Sequence, residues 1–319
     1  MELKVTDYTV DDAGVAMVRF NRPGRGNSWT GRMNAEYRWI MKRLDEDPEV
    51  RVIVVTGAGN QFCVGADFKA LDHYAQTDED YAASVAADDF AKPGHGVRAE
   101  YDHDIVWHWG LKKPVIAAIN GACAGMAVAI AGFCDFRYAA AGAKITTAAA
   151  RIGLPAEYGL SWLLPRIVGL THAVDLLVTG RIVLAEEAYR MGFLNDVFAP
   201  EEFQARVAEI ASRLAASLSP MATAVTKRQI YAELMSDDVG ASVEDSKRCI
   251  EFMMKTADFK EGSRALQDRR PPRFGGLPAD ASIPRPGQPP YPSPREEVPV
   301  DLADPARSPE ISHTPERNQ

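Results

Sequence analysis

Apolar and polar positions follow two different periods along this chain, and the change of period divides it into three. Up to about residue 200, short apolar runs rich in Val, Ile and Ala end in Gly-bearing turns and lead into helical stretches. Strands are predicted at 52–56, 115–119 and 136–139. Residues 5–20 predict a hairpin interrupted by Asp11-Asp12-Ala13-Gly14, and 32–45 an amphipathic helix. The repetition suggests stacked β-β-α units, an α/β core over residues 1–200. From 201 to 270 the period is wholly helical, with Phe203, Val207, Ile210 and Leu214 in one stripe and Ile250, Met253 and Met254 in another. Periodicity does not say whether these stripes pack within the chain or against another copy of it. Residues 271–319 carry neither period. They hold 13 of the chain's 21 prolines, and so little apolar surface predicts an extended or disordered tail, largely solvated.

Composition narrows the class. A chain of 319 residues, 46% hydrophobic and 25% charged, is able to bury a substantial core. A net charge of -8 argues against nucleic acid or another polyanion as the main partner. Cys63, Cys123, Cys134 and Cys249 show no paired spacing and sit in apolar or helical contexts, which predicts reduced structural thiols and a cytoplasmic location. The first residues lack the basic start and apolar run of a signal peptide. The uncharged run from Pro114 to Cys134 matches a membrane span in length, but its Ala, Gly and Asn120 predict a buried strand, turn and helix instead. No His/Cys set has metal-ligand spacing, and His103 and His108 are five apart, so no metal is expected.

Two stretches carry the candidate chemistry. Residues 51–59 (RVIVVTGAG) lead into 62–69 (FCVGADFK), and residues 114–125 (PVIAAINGACAG) lead into 126–131 (MAVAIA). Each is a buried strand feeding a Gly-containing turn and a helix start, where backbone N–H groups are left free with a helix dipole behind them. Two such groups converging on one point stabilise a developing oxyanion such as a thioester enolate. The bland alternative is that the glycines only permit close helix–strand packing.

At these residues the chain resembles the enoyl-CoA hydratase/isomerase (crotonase) superfamily. The ordered matches are Asn21-Arg22-Pro23 with Asn27, then 56–59 (TGAG), Phe62-Cys63, Gly65-Ala66-Asp67, 114–121 (PVIAAING), Gly125, Asp135, Gly153-Leu154, 163–169 (LLPRIVG), 260–262 (KEG) and 270–272 (RPP). They span about residues 5–275. The resemblance implies a spiral of ββα units, a helical region at 201–270 that builds homotrimers or dimers of trimers, and an acyl-CoA substrate. No permanently bound cofactor is implied, since coenzyme A arrives as part of the thioester. The oxyanion donors would be the amides of Ala66 and Met126, each following a glycine, Gly65 or Gly125. Coenzyme A would lie near Arg25, Gly26, the Cys63–Ala66 strand, Asp67 and Gly125, with Arg25 or Lys69 neutralising phosphate. Residues 73–96 would form a flap over the acyl chain.

The acid–base positions depart from the family's hydratases. Where those carry two Glu residues this chain has Ala129 and Ala149, and neither transfers a proton. The stretch 153–165 (GLPAEYGLSWLLP) resembles instead the loop of peroxisomal-type Δ3,Δ2-enoyl-CoA isomerases, in which Glu157 matches the catalytic Glu. One carboxylate suffices for moving a proton from C2 to C4, because no water takes part. Leu154, Leu160 and Trp162 are expected to desolvate Glu157 and raise its basicity. The competing role is a solvated Glu capping the helix at 158–164. Asp67 reads mainly as a loop-holding residue. Other open readings are a hydratase or CoA-thioester C–C hydrolase using Asp67, His103 or Glu157, and a non-catalytic acyl-CoA-binding protein. Ser161 lacks the second Gly of a nucleophile elbow, against a serine hydrolase.

Overall fold

The computed structural model describes residues 1–68, 72, 76–77, 93–94 and 96–284. The flap at 73–96 and Lys69 therefore lie largely or wholly outside the described residues, as does the tail from 285. Within them the strands form two sheets. One has six strands in the order β1 (Thr6–Val10), β2 (Val15–Phe20), β3 (Val52–Gly57), β5 (Val115–Ile119), β7 (Phe136–Ala140) and β10 (Asp196–Phe198). The other has four, β4 (Gln61–Cys63), β6 (Ala122–Ala124), β8 (Lys144–Thr146) and β9 (Val183–Leu184). β1 and β2 are the expected hairpin, and the rest of the large sheet is parallel.

Successive strands leave the large sheet for the small one three times, from β3 to β4, β5 to β6 and β7 to β8. This stepping matches the spiral of ββα units that the resemblance implies. It explains why the strands read as unbroken apolar runs, since the large sheet is covered on both faces. Along β3 and β5, Ile53, Val55, Val115, Ala117 and Ile119 enter the main core. Val52, Val54, Ile116 and Ala118 point the other way, against Phe203, Val207 and Ala211 of α5 (Phe203–Ser217).

Helix α1 (Gly31–Glu46) starts at Thr30, whose hydroxyl accepts the Met33 amide. The short α2 (Met126–Phe133) is buried along its whole length, so the uncharged run from Pro114 is interior strand, turn and helix. α3 (Leu160–Thr179) is long and apolar enough to cross a membrane by length and composition, and it is broken at Gly169. α4 (Ala185–Arg190), α6 (Pro220–Glu233), α7 (Val239–Met253) and α8 (Ala257–Gln267) follow. A buried ion pair fastens α6 to the core. Lys227 Nζ lies 2.8 Å from Asp135 Oδ2, and the Tyr231 hydroxyl donates to Asp135 Oδ1 at 2.6 Å.

The structure bears on one question the sequence leaves open and changes one expectation. Among the described residues Ile250 and Met254 of the second helical stripe are 55% and 53% exposed, whereas Met253 packs partly against the cluster of Ala224, Val225 and Cys249. The tail is extended from Pro271 as expected, but its first part is not solvated. Leu277 and Ile283 are buried against Ala224, Val225 and Cys249. The physical reason is that two anchoring side chains and several cation-to-carbonyl bonds suffice to dock a short segment that prolines have already stiffened.

Candidate active site

The two Gly turns meet. At Gly65 a Cβ would sit 3.0 Å from the Ala124 carbonyl oxygen and 3.8 Å from the Gly125 nitrogen, and at Gly125 it would sit 3.8 Å from the Gly65 Cα. Both glycines have positive φ, 94° and 55°, a region costly for other residues. Local bonding then leaves the next amides free. The Trp29 amide donates to Gly65 O at 2.7 Å, and the Asp67 amide donates to Trp29 O at 2.9 Å. This parallel bridge between Trp29 and Ala66 turns the Ala66 N–H to the side opposite Trp29. Met126 opens α2, where the N–H has no intrahelical acceptor, while Gly125 N is taken by Thr146 O at 3.0 Å. Among the described residues neither the Ala66 nor the Met126 N–H finds an acceptor.

Glu157 comes to the same place from a third segment. Its Oε2 lies 3.3 Å from the Cβ position at Gly125. The carboxylate does not cap α3, whose N-cap is Gly159, and only the Glu157 backbone carbonyl accepts the Leu160 amide, at 2.9 Å. Burial pushes its pKa up, and no hydrogen bond or cation opposes that shift. Leu160 is buried and Trp162 half-buried, whereas Leu154, expected to shield it too, is 40% exposed. Tyr158 and Gly159 hold the turn in left-handed conformation, φ 46° and 77°; at the non-Gly Tyr158 this costs about 1–3 kcal/mol. An unpaired, desolvated carboxylate beside two free amides is an arrangement for proton transfer next to an oxyanion.

The positions of the missing Glu residues, Ala129 and Ala149, are buried. Asp67 is held by Arg22 at 2.9 Å and by the Ser28 hydroxyl at 2.9 Å, which ties the Gly65 loop to the 22–28 segment. Arg25 is exposed, and its guanidinium pairs with no carboxylate among the described residues. Gly26 lies against the side chain of Val64, and its carbonyl accepts the Val64 amide at 3.1 Å. Cys63 is buried, and burial pushes its thiol up to about 12, so it acts as packing. All four cysteines are free and buried. His103 is exposed. His108 is buried against Trp107, shares a 2.7 Å hydrogen bond with the Tyr37 hydroxyl, and is pushed down to about 3 by burial. Among the described residues no group of His, Cys, Asp and Glu has the arrangement to hold a metal.

Three contributors escaped the sequence reading. Trp29 pins the Gly65 loop through its backbone. Arg22, inside the Asn21-Arg22-Pro23 motif, supplies the partner of Asp67. Asn27 closes the adjoining turns, accepting the Arg22 amide and donating to the carbonyls of Ala58 and Gln61. The motif signalled the latter two residues but not their partners.

With this geometry in view, comparison with known proteins is unambiguous. Residues 11–277 match the enoyl-CoA hydratase/isomerase family. The chain is 33% identical to a probable enoyl-CoA hydratase of Mycobacterium leprae over 274 residues, covering 84% of this chain and 90% of the relative. It is 32% identical to the 1,2-epoxyphenylacetyl-CoA isomerase of Escherichia coli, covering 83% and 96% respectively. The crystal structure of an enoyl-CoA hydratase from Bacillus anthracis superposes with a TM-score of 0.75 at 27% identity, over 86% of this chain and all of that one. The chain belongs to the enoyl-CoA hydratase/isomerase family and is an acyl-CoA enzyme of that type.

Proposed function

We propose that this enzyme moves the double bond of an enoyl-CoA, with Glu157 as the single acid–base group and the Ala66 and Met126 amides as oxyanion donors. The observation that carries this reading is the Glu157 carboxylate at 3.3 Å from the Gly125 Cβ position, while positions 129 and 149 hold alanine. The Glu157 carboxylate takes a proton from C2 of a 3-enoyl thioester. The electron pair runs into the thioester, whose oxygen becomes an enolate oxygen held by the two amides. The carboxylic acid so formed returns the proton to C4, the carbonyl re-forms, and the double bond lies between C2 and C3. The raised Glu157 pKa makes the carboxylate a stronger base than a solvated one, closer to the operating pH.

Several other features accompany this reading. Coenzyme A is assigned to the surface at Arg25 and Gly26, with the phosphates near Arg25. The exposed stripe of Val239, Val243 and Ile250 on α7, with Met254 just past its end, supports a homotrimer or a dimer of trimers. Buried free thiols go with a cytoplasmic location.

A hydratase is the second reading, favoured by relatives such as the probable hydratase of M. leprae and the (E)-benzylidenesuccinyl-CoA hydratase of Thauera aromatica. It needs a second proton-transfer group. Asp67 is engaged by Arg22, and His103 stands exposed, which weighs against both. The test is incubation with 3-enoyl-CoA and 2-enoyl-CoA in deuterated water, wild type against Glu157→Gln. Double-bond migration lost on substitution is the expected result, by about 10³-fold. A 3-hydroxyacyl product from the wild type overturns the reading in favour of hydration. Tight binding of CoA esters without turnover or exchange overturns it in favour of a binding protein.

A further inference from the structure

The chain runs on beyond the family match at residue 277, and the stretch 274–284 that spans this boundary is fastened to the body by three cations donating to its backbone. Arg51 Nη2 donates to Phe274 O at 2.5 Å, Lys112 Nζ to Ala279 O at 2.9 Å, and Arg228 Nη1 to Ile283 O at 2.8 Å. Leu277 and Ile283 supply the buried side chains between these points. Gly276 lies so close to the turn after α1 that a Cβ would stand 2.2 Å from the Pro48 carbonyl oxygen. At Gly275 a Cβ would meet nothing within 4 Å.

The far end of this segment leads back toward the catalytic turn. Arg228, which holds Ile283, sits on α6, the helix that also carries Tyr231. Tyr101 meets Trp109 edge to face at 6.0 Å, and Trp109 in turn meets Phe133 at 5.0 Å and Trp162 at 5.7 Å. The Phe133 ring lies 3.6 Å from the Cβ position at Gly159, two residues after Glu157. Trp109 also stacks on Tyr231 of α6 at 4.5 Å, which places this aromatic row on the helix that carries Arg228. Aromatic side chains packed in this way move together or not at all, because dense interiors transmit small displacements.

We propose that residues 274–284 are a strap that positions the Glu157 turn, acting through Arg228 on α6 and the Tyr231–Trp109–Phe133 row. Its catalytic consequence rests on the isomerase reading given above, whereas its mechanical one does not. The strap keeps the aromatic row seated, and the row limits how far the left-handed turn at Tyr158 and Gly159 swings the carboxylate from the two amides. The strap residues are positioning residues and touch no substrate in this role.

Full-length Gly276→Ala, Gly275→Ala and Ile283→Ser variants test this. Gly276→Ala forces the strap off Pro48, Ile283→Ser removes its terminal anchor, and Gly275→Ala is the matched control. The expected result for Gly276→Ala and Ile283→Ser is a fall in kcat of about 10-fold, in line with the sensitivity of catalysis to small misplacements. KM for the CoA ester stays within twofold, the acid limb of the pH profile shifts, and the Leu160 amide exchanges hydrogen at least 10-fold faster. Gly275→Ala leaves all four unchanged. Unchanged exchange at Leu160 in both strap variants overturns the proposal, whatever the activity. Faster exchange with an isomerase rate that Glu157→Gln also leaves intact keeps the strap and instead removes Glu157 as the catalytic group.

Discussion

Glu36 and Glu157 are two carboxylates taken out of water in the same molecule, and they have been treated in opposite ways. The Glu36 side chain, on α1, is fully covered. It accepts the amides of Lys4, Val5 and Thr6 at 2.9 to 3.0 Å and the Thr6 hydroxyl at 2.6 Å, and Arg32 also donates to it. Burial pushes its pKa up, but the Thr6 hydroxyl, Arg32 and the amides outweigh that and leave it below the usual carboxylate range. Glu157 is only half-buried, yet nothing among the described residues bonds to its carboxylate, and its pKa is raised. A satisfied carboxylate holds two chain segments together and is chemically inert. An unsatisfied one costs stability and keeps its basicity.

The largest effect that separates the two is on rate. Glu157→Gln should lower isomerisation by about 10³-fold, the scale of a lost general base, with little loss of folded protein. Glu36→Gln should do the reverse, leaving kcat of the folded enzyme within about twofold while destabilising it by about 3 kcal/mol, because a Gln amide cannot accept every donor now pointing at Glu36. Chemical denaturation and steady-state kinetics on both variants read this crossing. A stable Glu36→Gln enzyme, or an active Glu157→Gln enzyme, would break the contrast.

Next in size is Gly125→Ala, which intrudes on the free carboxylate rather than removing it. The new Cβ would stand 3.3 Å from Glu157 Oε2, on a backbone with φ 55° and ψ −127°. Moving both the Met126 amide and Glu157 should cost about 10²-fold in kcat, comparable to losing one oxyanion donor. Binding of a CoA ester measured by calorimetry should change much less. Equal losses in binding and turnover would show that the turn serves the cofactor rather than the transition state.

How far the sequence foretold these features depends on the range of the interaction. The Gly65 and Gly125 turns were legible because a strand, a glycine and a helix start are local matters of backbone sterics. Ala129 and Ala149 were equally plain, since an absent side chain needs no structure to be noticed. Glu157 was found through the resemblance at 153–165, and only its lack of partners needed coordinates. Arg22 holds Asp67 across 45 residues, and neither residue type advertises the other. The docking of 274–284 was missed for a related reason. Cations donating to backbone carbonyls leave no pattern in the sequence, and proline content alone argues for solvation. For the stripe of Ile250, Met253 and Met254, periodicity reports that a helix face is apolar and not what covers it.

The smallest effect is also the one that uses the pKa directions themselves, through the pH dependence of thermal stability. A folded pKa below the unfolded value means that Glu36 adds stability above about pH 4.5, lost as the pH falls through its lowered folded pKa. A folded pKa above the unfolded value means that Glu157 carries a penalty at neutral pH, which disappears as the pH falls through its raised pKa and below about 4.5. Glu157→Gln should therefore melt above wild type at pH 7. Glu36→Gln should melt below wild type at pH 7. Both differences should shrink toward zero on acidification, from opposite sides. Scanning calorimetry of the three proteins from pH 7 down to about pH 3 checks the signs. If Glu157→Gln melts below wild type at pH 7, the carboxylate has a stabilising partner, and its description as a desolvated, unpaired base is wrong.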